Sequence, residues 1–291
     1  MTRPQTLHYK GDQRGILLFH GLSSSPLELQ YLARGLSRAG YTVKVPVMDG
    51  YTHGLMTQSH TAEDWVGAAV AELKQFQTEC ESVVIGGLCL GAILSLRVAE
   101  LCSQDLGGVM AMSTAFHYDG WGNPWYTPLL PLARYVPISQ RIRIREREPF
   151  GVKDERMRAW IAKQMRDSGD SDAGAASLRV RDILQARNLI AMTRRGLPRI
   201  DCPTLLIHAK EDECSTPRSS IEVAEAVQSR RIRLVLLQDS YHMISIDREK
   251  DLVLNEMKQF LSAGEQSCNN PTPIERVNVL RLFEPRKGVA K

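Results

Sequence analysis

The chain of 291 residues is 43% hydrophobic and 24% charged, and its 37 Lys and Arg against 33 Asp and Glu give a net charge of +4. This length and apolar content suffice for a large core in one α/β domain with an inserted subdomain. No run of about 18 apolar residues occurs, and residues 1–14 lack the apolar region of a secretory signal, so we expect a cytoplasmic protein with no membrane span.

Predicted strands and helices alternate along most of the chain. A helix over residues 61–77 begins at Thr61, a favourable N-cap, with Glu63 and Asp64 in its first turn. The alternation predicts an α/β fold with a mainly parallel sheet and helices on both faces. The predicted strands cover 15–19, 41–47, 82–85, 108–112, 204–208 and 232–237, and the later helices cover 92–101, 216–229 and 249–261.

The periodic pattern breaks between about residues 114 and 203, and the glycines, prolines and aromatic residues at its start, 116–126, predict an irregular wall. We therefore divide the chain into a core formed by 1–113 and 204–263, an inserted cap at 114–203, and a polar tail at 264–291. The tail carries prolines and is expected to pack loosely or contact a partner.

The most informative motif is G-L-C-L-G at residues 87–91, between a predicted strand and a predicted helix. A strand that enters a helix through G-x-nucleophile-x-G forms a nucleophile elbow, with glycines where side chains would clash. Cys89 stands at the nucleophile position. The alternative is that Cys89 is only a small buried apolar residue.

An elbow of this kind requires an oxyanion hole upstream and an acid and a histidine downstream, in that order. The strand 15–19 ends in His20-Gly21-Leu22, so the main-chain N–H groups of Leu22 and Leu90 are predicted to hold the oxyanion. Asp212 follows the strand 204–208 and is the predicted acid, with Glu213 as the alternative. His242 follows the strand 232–237 and is the predicted base.

These motifs resemble those of the α/β-hydrolases, and the last third is similar to the bacterial carboxylesterase and monoacylglycerol lipase branch. The similar segments are residues 206–213 and 239–247, and the resemblance spans roughly residues 14–262. It implies an α/β-hydrolase fold. Its motifs transfer onto Leu22, Cys89, Leu90, Asp212 and His242, with one departure: the branch carries serine where this chain has Cys89.

A cysteine changes the expected chemistry. A free thiol has a pKa of about 8.5, and Cys89 is predicted to lie beside both an imidazole and a helix N-terminus, which favour the thiolate. When a thiolate attacks an alkyl ester, the thiolate is the better leaving group and the intermediate tends to revert. With a thioester the two leaving groups are matched, so acyl thioesters are the expected donors.

The inserted segment supplies further candidates for binding. Aromatic side chains there are expected to line an acyl pocket with His20, or else to pack the cap onto the core. Residues 134–199 contain sixteen Lys and Arg but only eight Asp and Glu. This excess of positive charge suggests an anionic partner such as acyl-CoA or an acyl carrier protein. The alternative is a solvated charged surface. The candidates are Trp121, Trp125 and Tyr126 for the pocket, and Arg141, Arg143, Arg145 and Arg147 for anion binding.

The sequence thus predicts an enzyme that forms an acyl intermediate on Cys89 from an acyl thioester, as an acyltransferase or a thioesterase. The alternative is a carboxylesterase or lipase acting on acyl esters. A more distant alternative is a binding protein that holds a small ligand without turnover. The six cysteines show neither a C-x-x-C pair nor a zinc-like spacing with histidine, so no metal or cofactor is expected, and no nucleic-acid module is recognised.

Overall fold

A computed structural model describes residues 4–56, 59–135, 142–168, 170–171, 174–175 and 177–269. The strands are β1 (Leu7–Tyr9), β2 (Arg14–Phe19), β3 (Thr42–Val45), β4 (Ser82–Leu88), β5 (Gly108–Met112), β6 (Arg143–Arg145), β7 (Asp170–Ser171), β8 (Gly174–Ala175), β9 (Ser177–Arg179), β10 (Thr204–Ala209) and β11 (Ile232–Leu237). The helices are α1 (Gln30–Ser37), α2 (Ala62–Phe76), α3 (Leu90–Cys102), α4 (Glu155–Ser168), α5 (Val180–Gly196), α6 (Arg218–Ala226) and α7 (Lys250–Asn269).

A seven-stranded sheet in the order β1-β3-β2-β4-β5-β10-β11 organises the fold. The edge strand β1 pairs antiparallel with β3, and the other neighbours pair in parallel. The predicted α/β-hydrolase fold, a mainly parallel sheet flanked by helices, is confirmed. Because parallel strands direct their carboxyl ends to one edge, the loops after β2, β4, β10 and β11 meet there.

Apolar residues cover both faces of the sheet because its central strands are buried on both sides. In β2, Leu17 and Phe19 join the cluster that contains Trp65 of α2. The alternate residues Ile16 and Leu18 join the cluster on the opposite face, with α1 and α7. The two-residue period of a strand therefore divides one apolar run between two cores.

Several predicted boundaries are close to those observed. Helix α2 begins after Thr61, whose hydroxyl accepts the N–H of Asp64, while the Asp64 carboxylate accepts the N–H of Thr61, a capping box. Strand β3 stops at Val45 because Pro46 has no N–H to donate to a ladder. Helix α7 continues to Asn269, six residues into the segment predicted as a tail, since no proline interrupts it before Pro271. Residues 270–291 of that tail lie outside the described part.

The chain between β5 and β10 adds structure outside the main sheet. It contains a 3-10 turn over Thr127–Tyr135, helices α4 and α5, and two small antiparallel pairs, β6 with β9 and β7 with β8. Helix α5 packs against α2 and α3 of the core. This segment therefore rests on the helices beside the carboxyl edge of the sheet.

Glycine is required at position 87 by the close approach of backbone. A Cβ there would lie 2.6 Å from the carbonyl oxygen of Phe19 and would also collide with Gly91. Gly67, on the exposed face of α2, provides a comparison, because nothing lies within 4 Å of a Cβ at that position.

We expect Gly87→Ala to lower the free energy of unfolding by about 3 kcal/mol, since backbone cannot move away from the added methyl group without disturbing β2 and β4. Gly67→Ala should instead stabilise the protein by up to about 1 kcal/mol through helix propensity. Urea unfolding of both variants measures this. If Gly87→Ala changed the free energy of unfolding as little as Gly67→Ala does, the β4–α3 turn would tolerate a side chain at position 87.

Candidate active site

The turn between β4 and α3 holds Cys89 in a backbone conformation that L residues rarely adopt. Its φ is 58° and its ψ is −118°. Its N–H donates to the carbonyl of Met112 over 2.9 Å, and its carbonyl accepts the N–H of Ala92. These bonds hold a strained residue in place, so the half-buried thiol projects from a rigid turn at the carboxyl edge of the sheet.

His242 and Asp212 form a buried pair beside this turn. The Asp212 Oδ2 atom lies 2.7 Å from His242 Nδ1, so the imidazole donates through Nδ1–H. His242 Nε2 is buried and makes no hydrogen bond within the described residues. The thiol of Cys89 and the imidazole of His242 line the same cavity.

Asp212 is fixed by a set of hydrogen bonds from its own loop. Its Oδ1 atom accepts the N–H groups of Cys214 and Ser215 over 2.9 and 2.8 Å. Its Oδ2 atom lies 3.3 Å from Nε2 of the buried His208, whose ring is held by Ser215 and Ser220. The carboxylate therefore has a single orientation, in which Oδ2 faces His242.

Charge within this group favours the imidazolium form. Burial alone would lower the pKa of His242, but the negative charge of Asp212 and the hydrogen bond to it raise the pKa well above its ordinary value. Burial would raise the pKa of Asp212, but the His242 charge and the hydrogen bonds from His208 and His242 hold it below its usual range. The site thus stabilises a positive charge on the ring.

The structure distinguishes the two acids that the sequence offered. Among the described residues, the hydrogen bond between Glu213 and His242 goes to the main chain and not to the ring: the Glu213 carboxylate accepts the N–H of His242 over 3.1 Å. Burial raises the pKa of Glu213. Asp212 is therefore the acid that orients the imidazole, and Glu213 fixes the backbone that carries it.

The two main-chain N–H groups predicted for an oxyanion hole lie at the ends of β2 and β4. Leu90 is the first residue of α3, so its N–H has no acceptor within the helix. The N–H of Leu22 makes no hydrogen bond among the described residues. Gly21, directly before it, approaches the turn closely, since a Cβ there would lie 3.7 Å from Cβ of Cys89. Leu22, Leu90 and Cys89 all line the same cavity.

Glu28 is a part of the site that the sequence motifs did not indicate. Its buried carboxylate accepts the N–H of Gly21 over 2.7 Å, and it lines the cavity. Burial raises the pKa of Glu28 to about 7, although the hydrogen bond from the Gly21 N–H acts to lower it. In the sequence, the only signal for Glu28 is its place as an acidic residue shortly after His20-Gly21-Leu22.

The cavity has a volume of about 270 Å³ and extends from the thiol to the segment between β5 and β10. Of the predicted pocket residues, Tyr126 lines it and three do not. Trp121 and Trp125 are 62% and 84% exposed, because their irregular segment turns them toward the surface. His20 is buried behind the cavity, where its ring contacts the Gly21 carbonyl and the Thr52 hydroxyl.

The chain is similar to known hydrolases along most of its length. The Hydrolase_4 family, described as serine aminopeptidase, S33, matches residues 12–249. The chain belongs to this family of α/β-hydrolases. It is 24% identical over 249 residues to a thermostable monoacylglycerol lipase of Bacillus sp. (strain H-257), covering 85% of this chain and 90% of the relative. It is 25% identical over 263 residues to a carboxylesterase of Bacillus subtilis (strain 168), covering 89% and 96%.

Solved structures agree with this family membership. One reported for the metagenome-derived lipolytic enzymes LipS and LipT has a TM-score of 0.76 at 25% identity, covering 89% of this chain and 97% of that one. The monoacylglycerol lipase of Paleococcus ferrophilus has the same fold, with a TM-score of 0.74 at 16% identity, covering 90% and 100%. The resemblance to the monoacylglycerol lipase and carboxylesterase branch, inferred from short motifs, is confirmed.

The four arginines predicted to bind an anion are not equivalent. Arg145 and Arg147 line the cavity, at its exposed side. Arg143 lies on the neighbouring wall, with its guanidinium bonded to the hydroxyl of Ser177. Arg141 lies outside the described residues. An anion-binding role is therefore open to Arg145 and Arg147 on geometric grounds, and acyl-CoA and acyl carrier protein stay predicted partners.

Two further observations concern metal ions and membranes. Within the described ranges, no group of three or more His, Cys, Asp or Glu side chains is arranged to hold a metal ion. Among the helices of those same ranges, each is too short or too polar to span a bilayer.

Glu28→Gln tests the buried carboxyl of the Gly21 loop, since glutamine keeps an oxygen to accept the Gly21 N–H. The folded-state pKa of Glu28, about 7, lies above the ordinary value of 4.5, so its protonated form stabilises the folded state at low pH. That contribution is complete below about pH 4.5 and is lost as the pH rises through 7. Relative to wild type, Glu28→Gln should therefore gain about 2 kcal/mol of stability between pH 5 and pH 8.

Thermal or urea unfolding at both pH values measures this difference, and the other titrating groups are common to both proteins. A stability difference that does not change with pH would mean that Glu28 titrates normally in the folded protein.

Proposed function

We propose that the protein is a carboxylic ester hydrolase of the lipase and carboxylesterase type that works through an acyl intermediate on Cys89. One observation carries the proposal: the Cys89 thiol projects from a strained turn into the cavity that also receives the Asp212-oriented imidazole of His242. The named relatives, a monoacylglycerol lipase and a carboxylesterase, support ester hydrolysis over the acyl transfer that the sequence favoured.

In the proposed first step, His242 takes the proton of Cys89, and the thiolate attacks the ester carbonyl carbon. The N–H groups of Leu22 and Leu90 bind the oxygen as it gains negative charge. The imidazolium then gives its proton to the leaving alkoxide, which departs as an alcohol and leaves a thioester on Cys89. Asp212 keeps the ring in the required orientation throughout.

In the second step, His242 removes a proton from water, which attacks the thioester carbonyl. The second tetrahedral intermediate collapses, the carboxylic acid leaves, and the thiolate of Cys89 returns with the imidazolium. The buried Asp212 stabilises that ion pair, in agreement with the direction in which the pKa of His242 is shifted. The same residues therefore serve both halves of the reaction.

A second candidate, an acyltransferase or thioesterase that takes acyl thioesters, is favoured by the sulfur atom itself. A thiolate expels a thiol of similar pKa more readily than it expels an alkoxide, so a thioester donor carries the intermediate forward.

The covalent intermediate is tested by intact-mass spectrometry after mixing with p-nitrophenyl butyrate or butyryl-CoA. We expect one butyryl group on the wild-type protein and none on Cys89→Ala. Cys214 is the matched control, because its thiol lines the same cavity and its N–H, which holds Asp212, is kept in Cys214→Ala. An adduct that survives Cys89→Ala, or one lost in Cys214→Ala, contradicts the assignment of the nucleophile.

The two candidate functions differ in their preferred donor. We expect an ester hydrolase to release butyrate from ethyl butyrate and from the butyryl thioester of N-acetylcysteamine, with Cys89→Ser retaining activity on the ester. Turnover of the thioester alone, or transfer of the acyl group to an added alcohol or amine, would favour the second candidate. Product masses measured with and without acceptor separate these outcomes.

His242→Ala should lower kcat/KM for p-nitrophenyl butyrate by about 10³-fold or more, as in other sites whose residues act as a unit. His8→Ala is the control, since His8 lies on the edge strand β1 and pairs with Glu79. Steady-state rates of the two variants provide the comparison. A His242→Ala enzyme with wild-type activity would remove His242 from the mechanism.

A further inference from the structure

Arg187 on α5 lines the proposed active-site cavity, and no carboxylate in the described part of the chain forms an ion pair with it. It is half-buried, and within the described residues its guanidinium forms neither a hydrogen bond nor an ion pair. A guanidinium stays charged at all physiological pH values and has five N–H donors to satisfy. Leaving it partly desolvated and unpaired is costly unless the cavity receives an anion.

Other arginines in or next to α5 form ion pairs with carboxylates. Arg179 and Arg181 both pair with Asp182, and Arg194, two turns beyond Arg187 on the same side of α5, pairs with Glu222. Arg187 differs from them in facing the cavity instead of a protein carboxylate. Its lack of a partner is thus specific to its position.

The acids that line the cavity do not replace such a partner. Glu28 is engaged by the N–H of Gly21, and Glu213 by the N–H of His242. Glu146 and Glu148 also line the cavity, but they alternate in sequence with Arg145 and Arg147, and none of these four is ion-paired in the described structure. Three guanidiniums therefore face two unengaged carboxylates.

The position of Arg187 indicates which part of a substrate would meet it. Ile183, Ala186 and Arg187 lie on one face of α5 along the cavity wall. The phenol of Tyr118 lies within the electrostatic range of both Cys89 and Arg187. Tyr118, Arg187 and Cys89 all line this cavity, so an acyl group bound to Cys89 shares the space that Arg187 borders.

The volume limits the size of that acyl group. The cavity of about 270 Å³ accommodates a short acyl chain, and it opens to solvent beside the exposed Arg145 and Arg147, where a larger leaving group would lie. A carboxylate at the end of a short acyl chain would reach Arg187 within the cavity, and it matches the bidentate geometry of a guanidinium.

We propose that Arg187 binds a carboxylate at the far end of the acyl chain, so that the enzyme prefers half-esters of short dicarboxylic acids to neutral esters. This proposal rests on the proposed acyl chemistry at Cys89 and adds the class of acyl donor. Arg187 is then a residue that determines specificity, while Arg145 and Arg147 lie nearer the exposed side.

The test compares the mono-p-nitrophenyl ester of adipic acid with p-nitrophenyl hexanoate, which has the same chain length without the charge. Wild type should favour the adipate half-ester, and Arg187→Met should lower the ratio of the two kcat/KM values by about 10- to 100-fold, as expected for a charge-assisted hydrogen bond. Arg195→Met, on the exposed side of the same helix, should leave the ratio unchanged. Arg187→Lys should retain part of the preference for the adipate half-ester that Arg187→Met loses.

An unchanged ratio in Arg187→Met, or a wild type that favours hexanoate, overturns the proposal. A second arm compares butyryl-CoA with the butyryl thioester of N-acetylcysteamine. If Arg187→Met selectively lowers turnover of the CoA thioester, Arg187 binds the phosphates of the leaving group, and the assignment to the acyl chain is wrong.

A binding measurement separates this proposal from the proposed function. Calorimetry of adipate with Cys89→Ala requires no turnover, and the added change Arg187→Met should weaken that binding at least tenfold, while the binding of hexanamide, which has no charge, should not depend on Arg187. Adipate binding that depends on Arg187, together with a wild type that hydrolyses no ester, would support the anion site and refute the proposed function. Binding that is independent of Arg187 would refute the anion site alone.

Discussion

The structure of the site depends on a single backbone constraint, the passage from β4 to α3 through one residue with a positive φ. Cys89 adopts that conformation because backbone from β2 packs directly against the turn, leaving no room for side chains at Gly87 and Gly91. The turn both exposes the thiol and presents the N–H of Leu90 at the start of α3. Position and electrostatic environment of the proposed nucleophile are thus set by one local geometry.

The second determinant is the arrangement of buried carboxyl groups around His242. Asp212 faces the ring, Glu213 accepts the main-chain N–H of the same residue, and Glu28 holds the Gly21 peptide on the other side of the thiol. Each of the three is buried and hydrogen-bonded, but only Asp212 has its pKa lowered. The site thereby holds one permanent negative charge where it orients the imidazole.

Family membership explains the fold of this protein but not the cysteine at position 89. The family and its lipase and carboxylesterase relatives account for the sheet, the turn and the order of the motifs. They do not account for sulfur at position 89, and the proposed function reconciles the two by keeping ester hydrolysis as the reaction and a thioester as the intermediate. The charge of Asp212 raises the pKa of His242, so the imidazolium that would partner a thiolate at position 89 is stabilised.

The sequence alone determined the fold class and the order of the candidate residues, because strand and helix periodicity, the glycines around Cys89 and the ends of β2, β10 and β11 are local signals. It left Asp212 and Glu213 undistinguished, since adjacent residues in a loop differ only in how the loop turns. The tertiary structure separated them, turned Trp121 and Trp125 outward, and brought Glu28 and Arg187 to the cavity. Those placements depend on packing between segments distant in sequence, and no local pattern records which face of α5, or which wall of an irregular segment, will border the thiol.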